Sequence, residues 1–193
     1  RSRVKCDGPV TLPRSAVFID RDGTMTLEPG YLSNPNGVEL IPGTTSALSD
    51  LRKAGFALVT VTNQSGIACG LYTEEDYHAV AARFVQILAQ AGTPMDATEY
   101  CPHHPDFTGD CTCRKPGKGM YQRASAALRL NLKGSYYIGD KVTDVAPAIE
   151  LGGQGVLVRT GYGSEHEGSI PDGTWVTDDF RAAADLILEQ TAR

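Results

Sequence analysis

Two aspartates one residue apart, Asp20 and Asp22, close the apolar run Ala16-Val17-Phe18-Ile19 and are followed at once by Gly23-Thr24. Carboxylates placed like this at a strand end can share one cation, or one can attack while the other moves a proton. Asp-Gly is equally a common turn dipeptide, so the pair alone leaves a plain turn open. Polar groups that follow other apolar runs decide between these readings: Thr62 after Phe56–Val61, Lys115 after the weaker run near 97–100, and Asp140 after Ser135–Gly139. Two or three carboxylates around one hard cation leave coordination places for water and phosphate. Lys115 offers a point charge, and Thr62 a hydroxyl donor, to phosphoryl oxygens. Phosphoryl transfer asks chiefly for that alignment and neutralisation. A carboxylate can also be the nucleophile, which splits hydrolysis into two steps. Asp140 and Asp144, taken alone, are also acids of the kind a helix N-terminus favours.

A second constellation is Cys101-Pro102-His103 with Cys111-Thr112-Cys113, just before Arg114-Lys115. Three thiols and an imidazole in two close pairs suit a tetrahedral structural Zn²⁺ with no open position, bound by Cys101, His103, Cys111 and Cys113. Such a site would pin a loop poor in apolar residues and hold Arg114 and Lys115 at the reactive rim. His104 competes for the imidazole place, and a Cys101–Cys113 disulfide or free thiols are the alternatives. Cys6 and Cys69 read as free. Five cysteines in 193 residues are too few and too clustered for a secreted disulfide scaffold, so a cytoplasmic location is expected.

The elements that must position these groups alternate. After the run at 16–19 comes a Gly/Pro/Asn-rich loop over 25–43, in which Val38–Ile41 reads as a short edge strand. Helical spacing covers Thr44–Ala54, ended by Gly55, and a Thr-x-x-Asp cap at Thr73 opens a long helix. Its apolar stripe is Tyr77, Val80, Ala81, Phe84, Val85, Leu88 and Ala91. Further helices are expected over 119–130, 142–151 and 180–190, with strands at 97–100, 135–139, 155–158 and around Trp175-Val176. Strands alternating with helices imply an α/β fold, one Rossmann-like domain over 16–193 with a parallel sheet and helices on both faces. Residues 1–15, with Pro9 and Pro13, read as a tail. In such sheets ligands bind beyond the carboxyl ends of the strands, the rim where Asp20, Thr62, Lys115 and Asp140 collect.

A net charge of −5 supplies no basic surface for nucleic acid or anionic membrane, and no apolar run reaches the roughly 18 residues of a membrane span. A small phosphorylated molecule is the expected partner, with the chain acting as a monomer.

Asp20-Arg21-Asp22-Gly23-Thr24, Thr62, Lys115 and Gly139-Asp140-Lys141-x-x-Asp144 together resemble the four motifs of the haloacid dehalogenase (HAD) superfamily of phosphatases. The resemblance runs over nearly the whole chain in order. It implies Asp20 as nucleophile, Asp22 as general acid and base, and Mg²⁺ held by the Asp20 carboxylate, the Asp22 carbonyl and Asp140, with Asp144 orienting that shell. Arg21, drawn pointing away along the strand, receives no catalytic role. Cys-Pro-His, Cys-x-Cys-Arg-Lys-Pro and Val-Thr-Asn-Gln-Ser-Gly-Ile-Ala are similar to the heptose bisphosphate and histidinol phosphatase branch, whose members lack a large cap domain. Glu28-Pro29-Gly30-Tyr31 and Gly66–Gly70 look more like the heptose enzymes, which implies removal of the C7 phosphate from a heptose 1,7-bisphosphate on the way to surface glycans. The same resemblance implies substrate contacts from Glu28, Pro29, Gly30, Tyr31, Thr62, Asn63, Gln64, Ser65, Arg114, Lys115 and Lys141, with Arg114 able to fork onto the distal phosphate or a sugar hydroxyl. The short segment between His103 and Cys111 is closer to the histidinol enzymes, and Cys69 stands where heptose enzymes often carry Arg. Histidinol phosphate is therefore the alternative substrate, and a zinc-stabilised binding module without catalysis is the alternative of another class.

Overall fold

The computed structural model describes residues 12–28 and 30–192. Ala16–Ile19 (β1), Ala57–Asn63 (β2), Ala97–Cys101 (β3), Tyr136–Gly139 (β4), Gln154–Val158 (β5) and Trp175–Thr177 (β6) form one parallel sheet ordered β3-β2-β1-β4-β5-β6. β1 lies inside this sheet with both faces covered, which is why its four residues are all apolar and all buried. Alternation sends Val17 and Ile19 to one core and Ala16 and Phe18 to the other. The first core is closed by Thr44–Lys53 (α1), Glu74–Gln90 (α2) and Phe180–Thr191 (α8), through Leu48, Leu51, Phe84 and Phe180. The second is closed by Gly119–Leu128 (α4) and Pro147–Leu151 (α6), and there Phe18 stacks on Tyr137 at 5.2 Å.

The chain leaves β1 for β2 and β3 on one side, then returns to pair β4 on the other. That reversal opens a crevice beyond the ends of β1 and β4. Ile19 pairs with both Thr60 and Ile138, so Asp20, Thr62 and Asp140 all follow within two residues of one register line.

Several elements depart from the sequence pattern for local reasons. Val38–Ile41 is not a strand: Leu40 makes one isolated antiparallel bridge to Thr26, after a single 3-10 turn at Pro35–Gly37. The helix expected over 142–151 splits into Val142–Val145 (α5) and α6, because Pro147 has no N–H to continue the ladder. In α2 the Thr73–Asp76 capping box is present, but Val85 is exposed, turned about 100° from Phe84 and out of the buried seam. Short helical turns, Pro105–Thr108 (α3) and Gly163–His166 (α7), occupy stretches that read as loops. Within the expected tail, Arg14 bridges Leu130 and pairs with Asp96 at 3.3 Å, while residues 1–11, including Cys6, lie outside the described residues. Among the described residues no helix is long and apolar enough to cross a membrane.

Candidate active site

Lys115 is buried at the rim, and each of its Nζ contacts is 2.7 Å long: to Asp20 Oδ1, to Asp144 Oδ1 and to the Val61 carbonyl. Asn63 at the end of β2 places it, accepting from the Lys115 N–H at 3.0 Å and donating to the Lys115 carbonyl at 3.2 Å. Asp144 is occupied on its other oxygen by the Lys141 N–H at 2.9 Å. Asp140 accepts from the Tyr162 N–H at 2.9 Å through Oδ2, while its buried Oδ1 has no protein partner. Carboxylate oxygens of Asp20, Asp140 and Asp144 lie within 4.8 Å of one another. Burial pushes the Asp20 carboxyl up to about 8, opposed by Lys115 and reinforced by Asp144 and Asp140. Burial, then Asp144, raises Asp140 to about 6. Lys115 is the ammonium in direct contact with Asp20 and Asp144, and Asp140 Oδ1 is a buried acceptor left without a protein donor. The donor set is all oxygen and fits a hard divalent cation.

Asp22 is held differently. Arg21 Nε and Nη2 donate to its two oxygens at 2.8 Å each, Gln64 Nε2 donates at 2.8 Å and Thr26 Oγ1 at 3.2 Å. Burial alone would raise its carboxyl, but the Arg21 guanidinium and these hydrogen bonds keep it below the usual carboxylate range. Gln64 also donates to Thr62 Oγ1 at 2.9 Å, leaving that hydroxyl's own proton for another acceptor. Tyr72 Oη holds Gln64 in turn, donating to its Oε1 at 2.6 Å.

Two glycines let the segments close over Asp140. A Cβ on Gly23, at φ +83°, would lie 2.4 Å from Asp140 Oδ2, and one on Gly161 would lie 2.2 Å from the same atom. Thr160 Oγ1 adds a 2.7 Å bond to the Gly23 carbonyl.

Asp20, Asp22, Thr62, Lys115 and Asp144 line an inner recess of about 50 Å³. It adjoins a cleft of about 370 Å³ whose walls include Glu28, Gly30, Tyr31, Asn63, Gln64, Ser65 and Lys141. That cleft has the volume of a small-molecule site rather than of a phosphate alone. Arg114 is not brought to either space: its Nη1 donates to the His103 carbonyl at 3.1 Å. Pro29 lies outside the described residues.

The thiols of Cys101, Cys111 and Cys113 approach one another at 3.0–3.7 Å, and His103 Nδ1 lies 3.2 Å from Cys113 and 3.6 Å from Cys101. Ligands about 2.3 Å from a tetrahedral zinc are about 3.8 Å apart, so the four groups nearly span the right polyhedron. The competing imidazole, His104, instead accepts from the Asp106 N–H at 3.3 Å, as the cap of α3. No disulfide joins these cysteines. The cluster is compatible with zinc.

A family model described as HAD-hydrolase-like matches residues 112–183. The D-glycero-beta-D-manno-heptose-1,7-bisphosphate 7-phosphatase of Yersinia pestis is 39% identical over 92% of this chain and 91% of its own length. The protein of the same name from Escherichia coli K12 is 42% identical over 92% and 90%. This chain belongs to the HAD superfamily of phosphatases, in the heptose bisphosphate phosphatase family. A crystal structure of the D,D-heptose 1,7-bisphosphate phosphatase from B. bronchiseptica, complexed with magnesium and phosphate, superposes with TM-score 0.83 at 34% identity, covering 91% of this chain and 99% of that one.

Against this HAD frame, sequence reasoning leaves four residues of the site without a place. Arg21 is buried and grips Asp22 instead of pointing away, because the backbone bends after Ile19 and strand alternation no longer applies. Tyr72 steadies Gln64, and Tyr162 and His166 stand on the wall contributed by the β5–α7 segment. For Tyr162 the available signal is the Gly-Tyr-Gly sequence, since a tight turn there directs the residue between the glycines over the rim.

Proposed function

We propose that this phosphatase removes the C7 phosphate from D-glycero-D-manno-heptose 1,7-bisphosphate by way of an aspartyl-phosphate on Asp20. The observation that carries this reading is the paired arrangement of a phosphate-sized recess, with Asp20 and Lys115 at 2.7 Å, opening into a cleft large enough for a sugar phosphate. Identities of 39–42% over nine-tenths of the chain support the same substrate.

Asp20 attacks phosphorus through the oxygen not held by Lys115. The bond to the sugar oxygen breaks, and that oxygen takes a proton from Asp22. Water, deprotonated by Asp22, then attacks the phosphoryl group, releasing inorganic phosphate and restoring Asp20. Lys115 and the Thr62 hydroxyl bind equatorial oxygens and hold them in line. When bound by Asp20, Asp140 and the Asp22 carbonyl, Mg²⁺ supplies the charge that neutralises the transferring group. Asp144, spent on Lys115 and the Lys141 N–H, orients this shell. Asp22 as held by Arg21 is ionised, as the water step requires; its acid step requires that it release Arg21 and take up a proton from solvent, which it gives to the leaving oxygen and regains from the attacking water. Cys101, His103, Cys111 and Cys113 hold Zn²⁺ in a closed, structural site that fixes the approach to Lys115.

Phosphate release from heptose 1,7-bisphosphate and from histidinol phosphate, each with Mg²⁺, tests the assignment. A preference for histidinol phosphate overturns the heptose reading. No turnover of either places the chain among binding modules.

A further inference from the structure

Gln64 is buried between two groups of the reaction, and its amide joins them: Nε2 donates to Asp22 Oδ2 at 2.8 Å and to Thr62 Oγ1 at 2.9 Å. Those two bonds use both amide hydrogens. Turned by half a revolution, the amide would offer its oxygen to the same neighbours. That oxygen would take the Thr62 hydroxyl hydrogen away from phosphate and would stand against the Asp22 carboxylate. Asp22 and Thr62 cannot be relied on to prevent this, because both change partners during turnover. Asp22 releases Arg21, and Thr62 turns to the transferring group. The amide needs a hold from outside the reacting groups.

Among the described residues, Tyr72 supplies the one such hold, its Oη donating to Gln64 Oε1 at 2.6 Å. Burial, then Asp22, pushes the Tyr72 hydroxyl up to about 12, so it keeps its hydrogen to donate. A turned amide would present its NH₂ to Tyr72, and the buried hydroxyl hydrogen would lose the acceptor it has, which is costly. The ring that carries this hydroxyl is itself fixed. A Cβ on Gly66 would lie 2.2 Å from Tyr72 Cε1 and 2.8 Å from Cζ, so the ring rests directly on the backbone there. The Leu71 N–H closes the preceding turn on the Gly66 carbonyl at 2.9 Å, and Thr73 begins the capping box of α2. Tyr72 is thus set between a closed turn and a capped helix, with its hydroxyl at one reach.

We propose that Tyr72 is a positioning residue of the reaction, which acts through Gln64 by holding its amide with both hydrogens on Asp22 and Thr62. The reacting groups then meet the substrate already oriented, whichever partners they exchange. The inference rests on the roles given above to Asp22 and Thr62.

The test is a double-mutant cycle on Tyr72→Phe and Gln64→Ala, with kcat/KM measured for heptose 1,7-bisphosphate and for para-nitrophenyl phosphate. Tyr72→Phe keeps the ring on Gly66 and removes only the hydroxyl. With Gln64 present it is expected to lower kcat/KM about three- to tenfold, the amount that one hydrogen bond corresponds to. In the Gln64→Ala background the same substitution should change kcat/KM by less than about twofold. An unchanged kcat/KM in Tyr72→Phe overturns the proposal and leaves the proposed function standing. So does an equal loss in both backgrounds, which would make the hydroxyl a direct contact of substrate or a prop of the turn. A wild type that cleaves the aryl ester but not the sugar ester overturns the substrate proposed above; the cycle on the aryl ester then decides the role of Tyr72 by the same two results. No release from either ester overturns both readings. Circular dichroism of each variant verifies folding.

Discussion

Replacing Lys115 by Met keeps most of the stem and deletes one ammonium that serves two carboxylates and a carbonyl, each at 2.7 Å. Removing one partner of a buried ion pair costs about 3–5 kcal/mol. The lower end applies here, because the pair faces a recess that opens into the cleft rather than a closed core. In a chain of this size 1 kcal/mol moves the unfolding midpoint by roughly 2–4 °C. Scanning calorimetry in EDTA should therefore show a fall of roughly 6–12 °C. Loss of one preorganised donor to the transferring group should lower kcat by about 10²–10³. The same deletion makes the carboxylate cluster more negative, so Mg²⁺ measured by titration calorimetry should bind more tightly. Lower turnover together with higher metal affinity is what charge shared between lysine and cation requires. A variant that keeps kcat within about tenfold of wild type, or that binds Mg²⁺ more weakly, would refute that reasoning.

Asp20→Asn should abolish phosphate release while the protein still unfolds cooperatively, since the amide keeps the shape and removes a buried charge; retained turnover would move the nucleophile elsewhere. Metal analysis of purified protein should give one zinc per chain, and Cys113→Ala should lower both zinc content and thermal stability; full stability without zinc would assign the cluster another role. The Asp76 carboxyl is held below its ordinary value by the Thr73 N–H and hydroxyl. Its contribution to stability is therefore present above the unfolded value near 4 and lost as pH falls through the lower folded value. Midpoints of wild type and Asp76→Asn should converge as pH is lowered from 6 to 2, and a constant gap would mean that the cap is not titrating.

The rim groups at strand ends were legible in the sequence, because a buried parallel strand is a plain apolar run and the residues within one position of its end face the crevice. Asp20, Thr62 and Asp140 could be placed by that rule alone. Lys115 does not end a strand; Asn63 brings it in, and only the order of motifs betrayed it. Arg21 was misjudged because alternation holds inside a strand and fails one residue past its end, where the chain bends. The direction of Arg114 is set by a single carbonyl on the Cys/His loop, which no spacing encodes. Likewise the split at Pro147 follows from a known rule, but the rule does not say whether the helix kinks or stops. The α7 turn lies in a Gly/Ser-rich stretch where composition suggests a loop and only packing on β5 makes it helical.

The position of β1 inside the sheet has a consequence for synthesis on the ribosome. β1 and β2 can pair as soon as residue 63 has emerged, but the other edge of β1 waits for β4, which is complete only at residue 139. At roughly 5–20 residues per second that edge stays open for roughly 4–15 s. It carries Val17, Phe18 and Ile19, three of the most apolar residues of the chain, and an open apolar edge is what neighbouring chains pair with. Nascent chains are thus most exposed to misassembly while Asp20, the proposed nucleophile, is already made and Asp140 is still to come. Crowded polysomes, rather than the finished enzyme, are where a weakened β4 would first be felt.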